Sequence, residues 1–113
     1  MLAFDIMHKN EKIYSIEFTK QSPIVKRFTD RLAFKQFYTD TPSTQEIMEW
    51  FEGRCFPKTR DNKDEILKVL GLNEYDPLDI IRKTHGVLFD DYIWVKFREE
   101  EITYDQVKIR DWW

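Results

Sequence analysis

The only cysteine of the chain, Cys55, lies in the segment WFEGRCFPKTR of residues 50–60, with cations at positions 54, 58 and 60. Nearby positive charge lowers the pKa of a thiol and favours the nucleophilic thiolate. A cysteine nucleophile also needs a base, and no motif links either histidine of the chain to Cys55. The alternative is structural, because Phe56 precedes Pro57 and must be extended, as in a connector between two helices. We favour this alternative, in which Cys55 and Phe56 fill gaps where the chain crosses.

Other kinds of catalytic or ligand site lack their sequence signals. Two distant histidines and one cysteine match no zinc spacing, and the acidic residues form no calcium or magnesium motif. Three glycines do not make a Gly-rich phosphate loop, and no nucleophile elbow surrounds the serines. We therefore expect no enzyme activity, no metal and no cofactor.

Residues 26–38, KRFTDRLAFKQFY, interleave cations with aromatic residues. Aromatic stacking beside positive charge is how proteins hold single-stranded nucleic acid. The candidate nucleic-acid-binding residues are Lys26, Arg27, Phe28 and Arg31. The same alternation arises when a strand packs its aromatic residues inward and leaves its cations in solvent, and we favour that explanation.

The sequence ends in two tryptophans, which are costly to leave in water and are typical of protein interfaces. They could also fold back and cover the core of their own domain, so both alternatives stay open. Together with the cations of the connector they form the predicted partner-binding surface, which consists of Arg54, Lys58, Arg60, Trp112 and Trp113.

Composition indicates one globular domain over residues 1–113, because 42% of the residues are hydrophobic and 16% are aromatic. Charged residues make up 35%, and a single cysteine cannot form an internal disulfide, so we expect a cytoplasmic protein. The start of the chain lacks the basic region of a signal peptide, and no apolar run is long enough to cross a membrane. The net charge of −3 argues against general nucleic-acid coating, although residues 1–35 are locally basic.

Four segments have the alternation of β-strands. Residues 2–8 and 12–19 are separated by a short polar turn and predict a hairpin, and residues 24–29 predict a third strand. Residues 91–97, DYIWVKF, predict a strand that returns to the sheet of the hairpin.

Between the third and fourth strands, three short helices are predicted. Each begins at a capping residue and is followed by one of the three glycines; the caps are Ser43, Asp61 and Asp76, and the glycines are Gly53, Gly71 and Gly86. The first cap belongs to a capping box with Glu46, and Pro77 stands at the first position of the third helix. A last helical turn from Thr103 is one alternative for the C-terminal region, and an extended tail is the other. The predicted fold class is α+β.

The order of these motifs resembles a segment found in Firmicutes, both in short proteins and ahead of the kinase domain of some HipA-like proteins. The shared elements are a Trp-containing helix ending in Gly-Arg, a helix ending in Leu-Gly, a helix ending in Gly, and an Asp-x-x-Trp strand. In this sequence they correspond to Trp50, Gly53, Arg54, Pro57, Arg60, Leu70, Gly71, Gly86, Asp91 and Trp94.

The resemblance implies a non-catalytic module linked to toxin–antitoxin-type kinases, phages or other mobile elements, with Arg54 and Arg60 as surface determinants. Arginines that flank helix ends can also be structural, through bonds to carbonyl and carboxylate oxygens. The function expected is therefore a small protein-binding module that blocks or modulates a protein partner, for example an anti-CRISPR-type inhibitor. The alternative is a nucleic-acid-binding regulator that uses residues 24–38.

Overall fold

The computed structural model describes residues 2–88 and 91–107, which fold into one antiparallel four-stranded sheet with helices packed on it. The strands are β1 (Ala3–His8), β2 (Glu11–Glu17), β3 (Ile24–Arg27) and β4 (Ile93–Phe97). The helices are α1 (Thr44–Gly53), α2 (Lys63–Leu70), α3 (Pro77–Thr84) and α4 (Tyr104–Val107), with a single 3-10 turn at Leu32–Phe34. The predicted α+β class is confirmed.

The order of the strands is β3-β2-β1-β4, so that β3 and β4 form the two edges of the sheet. The hairpin of β1 and β2 turns at Lys9, which has a positive φ of 54°. The returning strand β4 pairs with β1, as its alternation predicted. One extra residue, Ile13, shifts the register between β1 and β2 and bulges the second strand.

The register places alternate side chains of the strands on two faces, of which one carries the larger apolar cluster. One face carries two rows of side chains that point towards α1 and α3; these are Val25, Ile16, Phe4 and Phe97, and then Arg27, Tyr14, Ile6 and Val95. The rings of Phe4 and Phe51 lie 5.0 Å apart and join the sheet to α1. Burying each large apolar side chain stabilises the fold by about 1.5–3 kcal/mol, so this face supplies most of the core.

A smaller apolar cluster lies on the opposite face, where Met7 and Trp94 pack with Val87 and with Tyr104 of α4. The indole Nε1–H of Trp94 donates to the carbonyl oxygen of Lys9 at 2.6 Å, which satisfies its polar atom in the buried site. This cluster fixes α4 over one end of the sheet, so the helical alternative is confirmed over Tyr104–Val107.

The caps of α1 and α3 are those that the sequence predicts. Ser43 accepts from the backbone N–H of Glu46, whose carboxylate accepts from the Ser43 N–H in return. The Asp76 carboxylate accepts from two N–H groups in the first turn of α3, and Pro77 follows it. Both ends are therefore determined by local hydrogen bonding.

Three predicted boundary details are wrong. The cap of α2 is Asn62 rather than Asp61, and its side chain makes no capping hydrogen bond. Gly53 is the last residue of α1 and has no positive φ, because the chain leaves the helix through Arg54 at φ −96°. At the end of α3 the first left-handed residue is His85, with Gly86 following it. Only Gly71 is the left-handed C-cap that the sequence predicts.

Candidate functional site

The outer side of β3 is an unpaired row of backbone groups. The Phe28 N–H donates to the Ile13 carbonyl oxygen at 2.9 Å, so residues 24, 26 and 28 turn their backbone groups towards β2. The N–H and C=O groups of Val25 and Arg27 therefore point away from the sheet. Within the part of the chain that the structure describes, no other strand covers them. We call this side of β3 the open edge.

Five outward backbone groups of β4 have hydrogen-bond partners. The Val95 N–H donates to the His85 carbonyl oxygen at 2.7 Å. Glu100 pairs both groups of Phe97, since its carboxylate accepts from the Phe97 N–H and its own N–H donates to the Phe97 carbonyl oxygen. The Ile93 N–H donates to the Asp91 carboxylate, and Arg54 donates to the Ile93 carbonyl oxygen. We call this side of β4 the closed edge.

Arg54 lies in the interior next to the closed edge and is only 6% exposed. Its Nη1 and Nη2 atoms donate to the two oxygens of Asp91 at 2.7 and 2.9 Å, and Nε donates to the Gly86 carbonyl oxygen at 2.9 Å. A Cβ on Gly86 would lie 3.4 Å from the Arg54 Cβ, and the φ of +68° also favours glycine there. The prediction that Arg54 contributes to a partner-binding surface therefore needs correction, because its guanidinium is used inside the fold.

The Arg54 contact also determines the titration of Asp91. Partial burial raises the pKa of this carboxyl, but the hydrogen bonds and positive charge of Arg54 outweigh burial, and the Ile93 N–H adds to them. The net result is a lowered pKa, so Asp91 stays ionised at the position where it holds the start of β4.

Cys55 is a structural residue at the crossing after α1, in agreement with the favoured alternative. Its side chain is buried, and the Sγ atom contacts the Phe51 carbonyl oxygen at 3.3 Å. Burial, followed by the negative charges of Glu52 and Asp76, raises the pKa of the thiol to about 12. The cations of the connector therefore do not produce the thiolate that the reactive alternative requires.

The remaining residues of the predicted partner surface have different environments. Lys58 and Arg60 are exposed in the connector between α1 and α2. Trp112 and Trp113 lie outside the described residues. Of the three predicted residues that the structure describes, Lys58 and Arg60 are exposed and Arg54 is buried.

The basic aromatic stretch of residues 26–38 lies beside the open edge. Some of its aromatic side chains pack inward, and others are exposed to solvent. Phe37 is buried with its ring 5.5 Å from that of Tyr14, and Phe34 stacks on His8 at 4.1 Å. Phe28 is 54% exposed and Tyr38 is 95% exposed. The packing alternative therefore holds for two of the four aromatic side chains.

Exposed apolar side chains accompany the open edge. Ile24 is 50% exposed at the start of β3, Phe28 directly follows the strand, and Leu32 is 84% exposed in the 3-10 turn. Single exposed apolar residues are ordinary, so Ile24 and Phe28 indicate a contact surface only together with the unpaired backbone groups of β3 between them.

Positive charge accompanies the same edge. Lys26 is exposed on β3 and forms no ion pair within residues 2–88 and 91–107. The Lys12 ammonium lies 5.5 Å from the centre of the Phe28 ring and 3.6 Å from the Asp5 carboxylate. Arg27 is 3.4 Å from Asp40, and the Arg31 guanidinium lies 5.4 Å from the centre of the Phe34 ring. Lys26, Arg31 and Lys35 are therefore exposed cations of this region that form no ion pair within the described residues.

Of the predicted nucleic-acid residues, Lys26 and Arg27 lie on β3, Phe28 directly follows this strand, and Arg31 precedes the 3-10 turn. The residue types alone did not indicate the outward backbone groups of β3 as a candidate site. The signal that could have revealed it is the predicted return of residues 91–97 to the hairpin, because pairing beside β1 leaves the third strand at an edge.

The described part of the chain has neither a metal-binding group of side chains nor a membrane-spanning helix. Among the described residues, no group of three or more His, Cys, Asp or Glu is placed to hold a metal ion. In the same part of the chain, no helix has the length and apolar character needed to cross a membrane.

A shallow pocket at the C-terminal end of α2 has a volume of about 410 Å³ and is lined by Leu67, Lys68, Gly71 and Leu72, among others. Its polar lining residues Asp64, Lys68 and Asn73 are all exposed, so the pocket is an open depression of the surface and not an enclosed ligand site. The open edge of the sheet is therefore the candidate functional site.

Comparison of the chain with models of known protein families gave no match, and neither curated protein sequences nor solved structures gave one. The resemblance to the segment of HipA-like proteins, and the link to mobile elements that it implies, therefore stay predictions.

Proposed function

We propose that this protein is a small non-catalytic module that binds a protein partner by accepting an extended segment of it as an additional strand beside β3. The observation that carries the proposal is the contrast between the two sheet edges. The outward groups of Val25 and Arg27 are unpaired within the described chain, whereas both groups of Ile93 and Phe97 and the N–H of Val95 are paired. Strand addition uses such outward groups for affinity and the alternating side chains for specificity.

The charge beside the open edge favours an acidic segment as the occupant. A second copy of this chain meets repulsion in one register, because the antiparallel pairing of Val25 with Arg27 places Lys26 opposite the Lys26 of the other copy. Like charges directly opposite each other destabilise a strand pair. An acidic segment would instead gain from Lys26 and Arg31 and would approach faster at low salt.

Binding of this kind acts by occupying a partner's segment, and chemistry on the partner is not required. A module that sequesters a segment can block whatever the segment otherwise contacts. An inhibitor of a defence nuclease, of the anti-CRISPR type, is one specific form of this proposal.

The test is capture of partners from source cells with three tagged proteins, which are the wild type and the variants Val25→Pro and Lys58→Ala. Proline at position 25 removes an outward N–H and blocks strand addition, and edge strands tolerate it because no ladder hydrogen bond is lost. We expect a protein that the wild type and Lys58→Ala retain and that Val25→Pro retains at least tenfold less. Circular dichroism and a melting curve check that all three are folded.

Retention of the same protein by Val25→Pro, or the absence of any protein that depends on Val25, would contradict the proposal. Capture of nucleic acid in place of protein is the outcome that the alternative predicts. In that case binding should fall steeply with salt and should be lost in Lys26→Ala and Arg31→Ala, because counterion release drives such binding.

A further inference from the structure

We infer that the segment accepted beside β3 carries an acidic residue flanked, two positions away on each side, by apolar residues. This inference rests on the proposed function and specifies the partner's chemistry. It follows from the side chains that β3 presents on the face of the sheet that is turned away from α1 and α3.

The side chains of Ile24, Lys26 and Phe28 share that face, because alternate residues of a strand point to the same side. An added strand would place every second residue beside this row, with directly opposite Cβ atoms about 5 Å apart. The residue opposite Lys26 is therefore central, and the residues two positions before and after it lie beside Ile24 and Phe28.

Lys26 selects an acidic residue at the central position. The residue directly opposite Lys26 on β2 is Ser15, which carries no charge. The two carboxylates nearest in the register already have cations, since Asp5 is 3.6 Å from Lys12 and Glu17 is 3.6 Å from Arg98. An incoming carboxylate would thus pair with Lys26 without displacing another acid.

Ile24 and Phe28 select apolar residues at the flanking positions. They are 50% and 54% exposed, so each has a packed half and a half left in water. The Lys12 ammonium lies 5.5 Å from the centre of the Phe28 ring, on a flexible side chain that is 48% exposed. Apolar side chains of an added strand would cover the exposed halves.

The intervening positions of the segment should show no charge preference. They would lie beside Val25 and Arg27 on the other face, where Val25 packs against the core and Arg27 has Asp40 at 3.4 Å. The charge on that side is already compensated. The specificity therefore resides in one face of the added strand.

The experiment is selection from a yeast-displayed library of random twelve-residue peptides against four purified full-length proteins. These are the wild type, Lys26→Glu, Val25→Pro and Lys58→Glu, of which the last makes the same change in net charge on the distant connector. We expect wild-type and Lys58→Glu binders to share an acidic residue between apolar residues at spacings of two. Replacing that acid by lysine should weaken binding about fivefold or more, and Lys26→Glu should invert the preference.

The outcomes separate this inference from the proposed function. Binders that depend on Val25 but show no acidic preference, or that shift equally for Lys26→Glu and Lys58→Glu, would overturn the inference and leave strand addition intact. Binders that ignore Val25→Pro, or a selection that enriches none, would overturn both.

Amide exchange of the wild type gives a second readout that does not depend on the proline variant. A selected peptide at saturation should slow exchange at Val25 and Arg27 at least tenfold. Unchanged exchange at both amides would overturn strand addition.

Discussion

The two edges of this sheet differ in how the chain treats their outward backbone groups. The closed edge of β4 is paired by residues from three separate parts of the sequence, namely Arg54 after α1, His85 after α3, and Asp91 and Glu100 on either side of the strand. The open edge of β3 has four residues, with outward groups that the described chain leaves unpaired.

Exposed edges invite pairing with other chains, and proteins usually shorten, charge or cover them. Here the longer, apolar edge strand β4 is covered, whereas the shorter β3 relies on Lys26 and Arg27 for protection. Positive charge on an edge discourages pairing with a like-charged strand and still permits pairing with an acidic one. The edge of β4 is thus protected by hydrogen-bond partners within the chain, whereas the edge of β3 is protected by charge that still permits pairing with an acidic strand.

The largest expected difference is in amide hydrogen exchange. The Val95 and Phe97 amides of the closed edge should open with a free energy that approaches global unfolding, which is about 5 kcal/mol or more for a typical domain. The Val25 and Arg27 amides should exchange with almost no protection. Exchange followed by two-dimensional NMR measures both sets in one sample, and similar protection at the two edges would show that β3 is covered.

Next in size is the effect of removing Arg54. Arg54→Ala leaves Asp91 without its cation and the Ile93 and Gly86 carbonyl oxygens without a donor, so we expect a loss of about 3 kcal/mol in the free energy of unfolding. Urea titration followed by tryptophan fluorescence measures it. The free energy of unfolding of Arg54→Lys should lie between those of the wild type and Arg54→Ala, because lysine keeps the charge but lacks the planar guanidinium.

Lys58→Ala is the matched control in the same connector and should change stability by less than about 0.5 kcal/mol. A loss below about 1 kcal/mol for Arg54→Ala would mean that the closed edge does not depend on this arginine.

Proline substitutions along β3 should cost different amounts of stability, depending on whether the lost N–H faces β2 or points away from the sheet. Lys26→Pro removes an N–H that faces β2 and should destabilise the protein by about 2 kcal/mol or more. Val25→Pro removes an outward N–H and should cost about 1 kcal/mol or less. The two urea midpoints measure the difference, and equal losses would contradict the assignment of outward groups to Val25 and Arg27.

The smallest effect is the pH dependence of the closed edge. Because the pKa of Asp91 is lowered in the folded protein, its contribution to stability is present above the unfolded pKa of about 3.9 and is lost as the pH falls through the folded value. The stability difference between the wild type and Asp91→Asn should therefore shrink between pH 6 and pH 3. Urea titrations at several pH values measure it.

Glu101→Gln, at an exposed acid beyond β4, serves as the control for general charge effects and should show no comparable change over this range. A difference between the wild type and Asp91→Asn that grows on acidification would contradict the ion pair with Arg54.

The sequence predicted local structure well where local hydrogen bonds decide it. The capping box of Ser43 and Glu46, the Asp76 cap and the left-handed Gly71 were all identified from neighbouring residues. The errors arose where local signals compete. Asp61 and Asn62 both resemble caps, and the helix begins after Asn62.

The candidate site was predicted only in part. The basic aromatic residues from Lys26 to Arg31 were identified by type, but the accompanying protein-binding prediction placed Arg54 on the surface. The error has a physical reason, since an arginine at a helix end can face solvent or donate to buried oxygens. The choice depends on acceptors 32 to 39 residues away, which no local pattern reveals.

By itself, the sequence determined the α+β class, the caps of α1 and α3 and the alternation of the strands, because each depends on residues within a few positions of one another. Only the tertiary structure decided that Arg54, Asp91, His85 and Glu100 meet at β4 and that the groups of Val25 and Arg27 stay unpaired. An open or closed edge depends on which strands become neighbours, and strand neighbours are selected by long-range packing of the sheet against the helices.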